Sequence, residues 1–120
     1  MLSGKKEIEA GANPNLKWCR LIDSKIQLTN GLSMSCLVIP VNGELPLHRH
    51  TPQEIYLIKS GHGLLLLDNS ETKAIFENDV IYISENEIHG LKNQGETQLE
   101  IFWIFPTNSW DNVEYNYQLK

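Results

Sequence analysis

The stretch His48-Arg49-His50-Thr51-Pro52-Gln53-Glu54-Ile55-Tyr56 holds two imidazoles, a carboxylate and a phenol in close succession. Side chains along a β-strand alternate between faces, so His48 and His50 point the same way. Glu54 and Tyr56 share a face in turn if they lie on the following strand. Between the two pairs stands Pro52, which has no amide hydrogen for a sheet ladder and so separates one strand from the next. Four polar, reactive groups then converge on one side of a sheet. A mostly apolar sheet interior tolerates that only if something answers them.

The rest of the chain repeats the strand-and-turn rhythm. From Gly31 onward, turn formers recur at Val41-Asn42-Gly43, Thr51-Pro52, Ser60-Gly61, Asp68-Asn69-Ser70, Asn78-Asp79, Ser84-Glu85-Asn86 and Asn93-Gln94-Gly95. Between them lie Met34–Ile39, Ile55–Ile58, Leu64–Leu67, Val80–Ile83 and Leu99–Phe105, runs rich in branched and aromatic residues that read as strands. Leu45 and Leu47 alternate with other residues on the way to His48 and His50. Short, regularly spaced strands indicate an all-β sandwich or barrel. The only helical expectation is a turn or two within Lys5–Ala10. Repeats, linkers and low-complexity segments are not evident.

Length and composition set outer bounds. A chain of 120 residues with 41% apolar content is expected to be one domain with an adequate core. Its apolar runs are too short to span a bilayer, so no membrane partner is expected, and the segment MLSGKKEIEA lacks the apolar core of a signal peptide. A formal charge of −5 argues against nucleic acid and anionic membrane surfaces as partners. Cys19 and Cys36 are too few, and too far apart in sequence, for a disulfide framework or a thiolate metal site. They read as buried, reduced thiols of a cytoplasmic protein.

A further imidazole stands far downstream, in Glu87-Ile88-His89-Gly90-Leu91-Lys92-Asn93. His48, His50, Glu54 and His89 together make a three-nitrogen, one-oxygen ligand set for one divalent transition metal. Iron, manganese, nickel, cobalt and zinc all accept such donors, and the residues do not choose among them. Four protein ligands leave one or two positions open for water or substrate, the arrangement of a catalytic site.

The pattern Gly43-x4-His48-x-His50-x3-Glu54-x6-Gly61 resembles the first cupin motif, with one residue fewer than usual after the glycine. The second cupin motif is degenerate but in register. Asn78, Ser84 and Asn86 replace its glycine, proline and glycine, while His89 and Asn93 stand at the expected positions. Asparagine tolerates positive φ, so these replacements are mild. The resemblance implies a single jelly-roll barrel (a double-stranded β-helix) with the metal inside, and a homodimer. The corresponding division of the chain is an N-terminal extension over 1–15, the barrel over 16–106 and a C-terminal tail over 107–120.

A closer resemblance runs through nearly the whole chain. The segments Leu16-Lys17-Trp18, Leu21-Ile22-Asp23, Gly31-Leu32-Ser33, Glu54-Ile55-Tyr56, Asp79-Val80-Ile81-Tyr82-Ile83, Leu99–Thr107 and Val113-Glu114-Tyr115 are similar to the short single-cupin dimethylsulfoniopropionate lyases of marine bacteria. That similarity implies His48, His50, Glu54 and His89 as metal ligands, Tyr56 as candidate base and Tyr115 as a further active-site residue. It implies a small-molecule substrate, with cleavage to dimethyl sulfide and acrylate. The chemistry suits the residues: a cation holding the substrate carboxylate stabilises charge developing beside it, and aromatic faces suit a sulfonium. Trp18, Trp103, Tyr115 and Tyr117 are the candidate walls. Plainer readings stand beside these. Tyr56 can simply fill the barrel or hydrogen-bond Glu54, and Trp18 and Trp103 can be core. Tyr115 lies near a terminus, where disorder is common. His62 reads as an exposed turn residue and Arg49 as an outward-facing one. The rival functions are a cupin oxygenase or isomerase on the same ligands, and a small-molecule binding or sensing module.

Overall fold

In the computed structural model, which describes residues 16–117, the apolar runs bounded by turn formers are strands. They are β1 (Lys17–Ile22), β2 (Ser33–Ile39), β3 (Glu44–Arg49), β4 (Glu54–Ser60), β5 (His62–Leu67), β6 (Thr72–Phe76), β7 (Val80–Ile83), β8 (His89–Asn93), β9 (Leu99–Phe105) and the short β10 (Asn116–Tyr117). Every pairing is antiparallel, in two five-stranded sheets of order β1-β2-β9-β4-β7 and β10-β3-β8-β5-β6. The all-β jelly-roll expectation holds. The helical turn expected within Lys5–Ala10 lies outside the described residues.

Alternation decides what each strand buries. In β2, Ser33, Ser35, Leu37 and Ile39 point inward, opposite Phe105, Trp103, Ile101 and Leu99 of β9. In β4, Ile58 lies opposite Ile101 and Tyr56 opposite Trp103, with Glu54 continuing the inner row. The barrel is therefore graded along its length. One end is packed with Ile39, Leu99, Ile101 and Ile58, and the other collects serines, aromatic rings and the carboxylate. Burying the aliphatic end stabilises the fold by roughly 1.5–3 kcal/mol per side chain. That leaves the polar end free to be costly.

The two leucines and two histidines of β3 raise a parity problem. Leu45 is buried inside the barrel and so is His48, yet residues three apart on a regular strand face opposite ways. A β-bulge resolves the conflict: Leu45 pairs with Leu91 and His48 with His89, so that Pro46 and Leu47 on β3 oppose the single Gly90 on β8. Pro46, with no donor to lose, sits in the bulge. Opposite it lies Gly90, where an added Cβ would come 2.6 Å from the Leu45 carbonyl oxygen and 3.1 Å from the Leu47 nitrogen. His50 stands one residue beyond β3 and keeps the alternation, buried while Arg49 is exposed.

Asn78 and Asn86, which replace glycines of the second motif, both take positive φ (74° and 58°), as expected. Asn93 is fully buried; its amide donates to the Ile39 and Thr97 carbonyls and its oxygen accepts from the Gly95 nitrogen. One expectation is corrected. Cys19 and Cys36 are half-buried rather than buried, and although far apart in sequence they are direct partners across β1 and β2. They lie on the outer face, because their neighbours Trp18, Ser35 and Leu37 occupy the inner one.

Gly90→Ala must push the bulge away from β8. Denaturant unfolding should show a loss of roughly 1–3 kcal/mol or more, the usual range for overpacking. An unchanged midpoint would mean that the bulge does not need the close approach.

Candidate metal centre and its aromatic surround

The bulge makes His48 and His89 direct cross-strand partners, and His50 follows at the end of β3. Glu54 opens β4 in the facing sheet. All four side chains are buried, none more than 1% exposed. The three histidines offer ligand nitrogens within 4.8 Å of one another. Each ring is held by a backbone carbonyl two residues away: His48 Nδ1 to Pro46 O at 2.9 Å, His50 Nδ1 to Pro52 O at 2.8 Å, His89 Nδ1 to Glu87 O at 2.7 Å. A carbonyl oxygen only accepts, so Nδ1 carries the proton and the neutral ring turns an Nε2 lone pair inward.

These lone pairs meet another acceptor. His50 Nε2 and His89 Nε2 lie 3.1 Å and 3.2 Å from the same oxygen, Glu54 Oε1. His48 Nε2 and Glu54 Oε2 are buried with no hydrogen-bond partner among the described residues. Burial, with His89 nearby, pushes the His48 pKa down to about 3, so this ring is neutral at pH 7. Burial alone would raise the Glu54 pKa; hydrogen bonds donated by protonated His50 and His89 would outweigh it and hold the carboxyl below its ordinary value. A proton on either ring would bridge it to Oε1 and still leave His48 Nε2 and Glu54 Oε2 unanswered. One divalent cation answers all four. The residues fit a metal.

Aromatic side chains surround this cluster. Tyr56 is 1% exposed, and its ring centroid lies 5.8 Å from that of His89. Burial, followed by the Glu54 charge, pushes its pKa well above 10, so Tyr56 by itself is a phenol. Tyr115 is half-buried and stacks on His48 at 4.8 Å with 12° between planes, 5.2 Å from His50. Tyr117 lies 5.4 Å from His48. Trp18 and Trp103 are both buried, and each packs on Trp110, at 4.3 Å and 4.8 Å. The Arg20 guanidinium covers Trp18 at 4.8 Å. His62 is exposed, as read, although it opens β5 rather than sitting in a turn, and Arg49 faces outward.

Two residues of this surround escaped the sequence reading. Trp110, in the 3-10 turn Trp110–Asn112, donates its indole hydrogen to the Tyr115 oxygen at 3.0 Å. Ser35 faces Trp103 across β2 and β9, and its hydroxyl has no partner among the described residues; the same is true of the Trp18 and Trp103 indole nitrogens. The alternation of β2 was the available signal for Ser35, since it puts that hydroxyl inside. Nothing in the Ser109-Trp110-Asp111 sequence marked Trp110. Its anchor is Asp23, fully buried, which accepts from Arg20 Nη1 at 2.8 Å, the Lys25 nitrogen at 2.9 Å and the Trp110 nitrogen at 3.1 Å. Asp111 adds a second contact to Arg20 at 2.8 Å. This network ties the turn carrying Trp110 to the loop after β1.

Comparison with known proteins adds a family and a set of likenesses. The model of the cupin domain family matches residues 36–105. An uncharacterised protein of Methanocaldococcus jannaschii is 34% identical over 84 residues, which cover 68% of this chain and 66% of that protein's length. The polyketide cyclase RemF from Streptomyces resistomycificus superposes with a TM-score of 0.76 at 18% identity, over 88% of this chain and 72% of that one. A chain from the crystal structures of the DMSP lyases RdDddP and RnDddQII gives 0.75 at 16% identity, over 94% of this chain and 58% of that one. At such identities the likeness carries the fold, which a cyclase and a lyase share.

Two outcomes test the site and its anchor. Chelator-stripped protein titrated with cobalt(II) should take up one equivalent. His89→Ala should weaken binding by at least about 100-fold, beyond the roughly 10–100-fold typical of losing a residue behind the ligands. Full occupancy in His89→Ala would remove the histidine from the set. The Asp23 carboxyl is raised by burial but lowered further by the hydrogen bonds it accepts from Lys25, Trp110, Ser109 and Arg20, so its folded pKa lies below the ordinary value. Its stabilisation is present above the unfolded pKa of about 3.9 and lost as pH falls through the lower folded value. Asp23→Asn should cost roughly 1–3 kcal/mol at pH 7, with the gap to wild type closing under acid. A gap that is constant from pH 7 to pH 3 would remove the charge from the account.

Proposed function

The chain belongs to the cupin family, and from that premise we propose a metal-dependent lyase that cleaves dimethylsulfoniopropionate to dimethyl sulfide and acrylate. The reading rests on one observation above all: three buried histidines and a buried carboxylate converge inside the barrel, with Tyr56 and Tyr115 beside them. His48, His50, Glu54 and His89 are the proposed ligands of one divalent transition metal. Bound there, the metal would supply Lewis-acid stabilisation of negative charge on the substrate carboxylate.

The remaining work falls to the chain's own side chains. Tyr56 takes the proton from the carbon beside the carboxylate. The electron pair released forms the new double bond, the carbon–sulfur bond breaks towards sulfur, and dimethyl sulfide leaves acrylate behind. Burial and the Glu54 charge hold Tyr56 as a phenol; a cation on Glu54 and a sulfonium in the pocket both act in the opposite sense. Trp103 and Tyr115 offer ring faces to the sulfonium. Trp110 fixes the Tyr115 oxygen by donating to it, which leaves the phenol's own proton to point at substrate.

A second reading has its own support. The unpartnered hydroxyl of Ser35 and indole N–H groups of Trp18 and Trp103 suit an acceptor oxygen deep in the barrel, and a permanently protonated Tyr56 would suit binding without chemistry. A sensing module then replaces the lyase. Under either reading the chain works on a small molecule rather than nucleic acid, consistent with its charge of −5. Exposed Ile55, Val80 and Tyr82 on the outside of one sheet support a homodimer. Cytoplasmic location is part of the same proposal; among the described residues no helix is long and apolar enough to cross a membrane.

Headspace measurement of dimethyl sulfide from purified, metal-loaded protein is the test. Dimethyl sulfide and acrylate should appear in equal amounts without dioxygen, cease with chelator and return with added metal. Tyr56→Phe should keep fold and metal content while turnover falls roughly 10²-fold or more, the scale of a lost positioned base. Binding of dimethylsulfoniopropionate without product would select the sensing module. A strict requirement for dioxygen would select an oxygenase.

A further inference from the structure

We propose that Cys19 and Cys36 form a redox-active dithiol on the outer wall of the barrel, a site for thiol–disulfide exchange with low-molecular-weight disulfides. The two residues are direct partners in the antiparallel β1–β2 pair, so their side chains leave the same face of the sheet. Trp18, Ser35 and Leu37 fill the opposite face, which turns both sulfurs away from the metal centre. Both are half-buried, within reach of a small solute. Among the described residues β1 is the edge strand of its sheet, and Cys36 lies one strand further in, opposite Phe102 of β9.

Register sets what kind of disulfide this pair makes. Directly opposed residues in an antiparallel pair have Cα atoms about 4.5 or 5.5 Å apart, depending on the hydrogen-bonding position. Both values lie inside the range of about 4.4–6.8 Å that a disulfide spans. Their Cβ atoms stand about 4.5–5.5 Å apart, whereas a relaxed disulfide wants about 3.5–4.5 Å. Closing the bond therefore draws the strands together and stores strain. A strained, half-exposed disulfide is readily reduced, which makes it an exchanging bond rather than a permanent staple.

The order of events follows from position and charge. Cys19 attacks one sulfur of the small disulfide, forms a mixed disulfide and expels one thiolate, which takes up a proton. Cys36 then attacks the Cys19 sulfur and expels the second thiolate. The protein gives up two electrons and two protons; the small disulfide becomes two thiols. Burial and the Glu100 carboxylate push the Cys36 thiol up, with Lys59 opposing, which suits it to the second, intramolecular attack rather than the first. Because Trp18 and Ser35 adjoin the two cysteines in sequence, drawing β1 towards β2 is felt inside the barrel, where Trp18 packs on Trp110.

The test uses the whole protein equilibrated in glutathione buffers from fully reduced to fully oxidised, acid-quenched, alkylated and weighed. Both thiols should disappear together as one Cys19–Cys36 bond within a single chain, and both should return with excess reduced glutathione. Cys36→Ser should instead accumulate a stable glutathione adduct on Cys19, because the resolving thiol is gone. The proposal is overturned if wild type keeps two reactive thiols across the range. It is equally overturned if wild type accumulates glutathione adducts, or if it links only between chains. The wild-type measurement decides the matter even if the variant folds poorly.

Discussion

Two imidazole lone pairs set against one buried carboxylate oxygen, with a third imidazole nitrogen unpartnered beside them, are the constraint on which this structure turns. Acceptors facing acceptors repel, and a buried carboxylate without compensation costs several kcal/mol even after relaxation. The arrangement persists because each ring is gripped from behind. Carbonyls of Pro46, Pro52 and Glu87 hold the three Nδ1 hydrogens, and none of these oxygens can give a proton back. Rotating any ring to relieve the repulsion would break its backbone bond and bury an orphaned carbonyl. The fold thus stores an electrostatic demand that a divalent cation would meet.

The need to place His48 inside explains features that otherwise look incidental. The bulge at Pro46-Leu47 shifts β3 by one residue, so that an aliphatic-in strand becomes a histidine-in strand. Gly90 leaves room for it, and the carbonyl of Pro46, inside the bulge, then orients the histidine that the bulge delivered. The aliphatic end of the barrel supplies the stability that the polar end lacks. Beyond residue 106 the chain returns over the polar end: Trp110 wedges against Trp18 and Trp103, and Tyr115 stacks on His48. Asp23, on the far side of the sheet order, fixes that return.

Much of this was legible in the sequence, and the limits are physical. Period-two alternation and turn residues marked β2, β4, β7 and β9 because those strands bury one regular face. β6 exposes all but Ile75, so it carried little pattern, and β8 (His89–Asn93) is not among the runs read as strands because glycine and asparagine sit where close approach and hydrogen bonding demand them. The cluster of three buried histidines that could hold a metal was legible because such residues need fixed chemistry at fixed parity. The bulge was not: alternation applied strictly would have sent Leu45 and His48 to opposite faces. Cys19 and Cys36 looked remote because sequence separation says nothing about register. Trp110 was unreadable for a related reason, since it is placed by a buried carboxylate 87 residues away.

Two tyrosines beside one centre differ in a way that bears on any chemistry there. Tyr56 is sealed in the barrel wall, cross-strand from Trp103, where burial and the Glu54 charge both oppose a phenolate. Tyr115 is half-buried, with its oxygen already accepting from Trp110. The deeper phenol is therefore the one whose protonation state responds most to what occupies the centre, since the same low dielectric that suppresses its charge amplifies a neighbouring cation. The shallower one has its geometry fixed beforehand by the indole. A site that must bind a ligand and then change state needs both: one group set in advance to orient, and one whose state depends on occupancy. In the proposed lyase, Tyr115 would be the group set in advance and Tyr56 the one whose state follows occupancy.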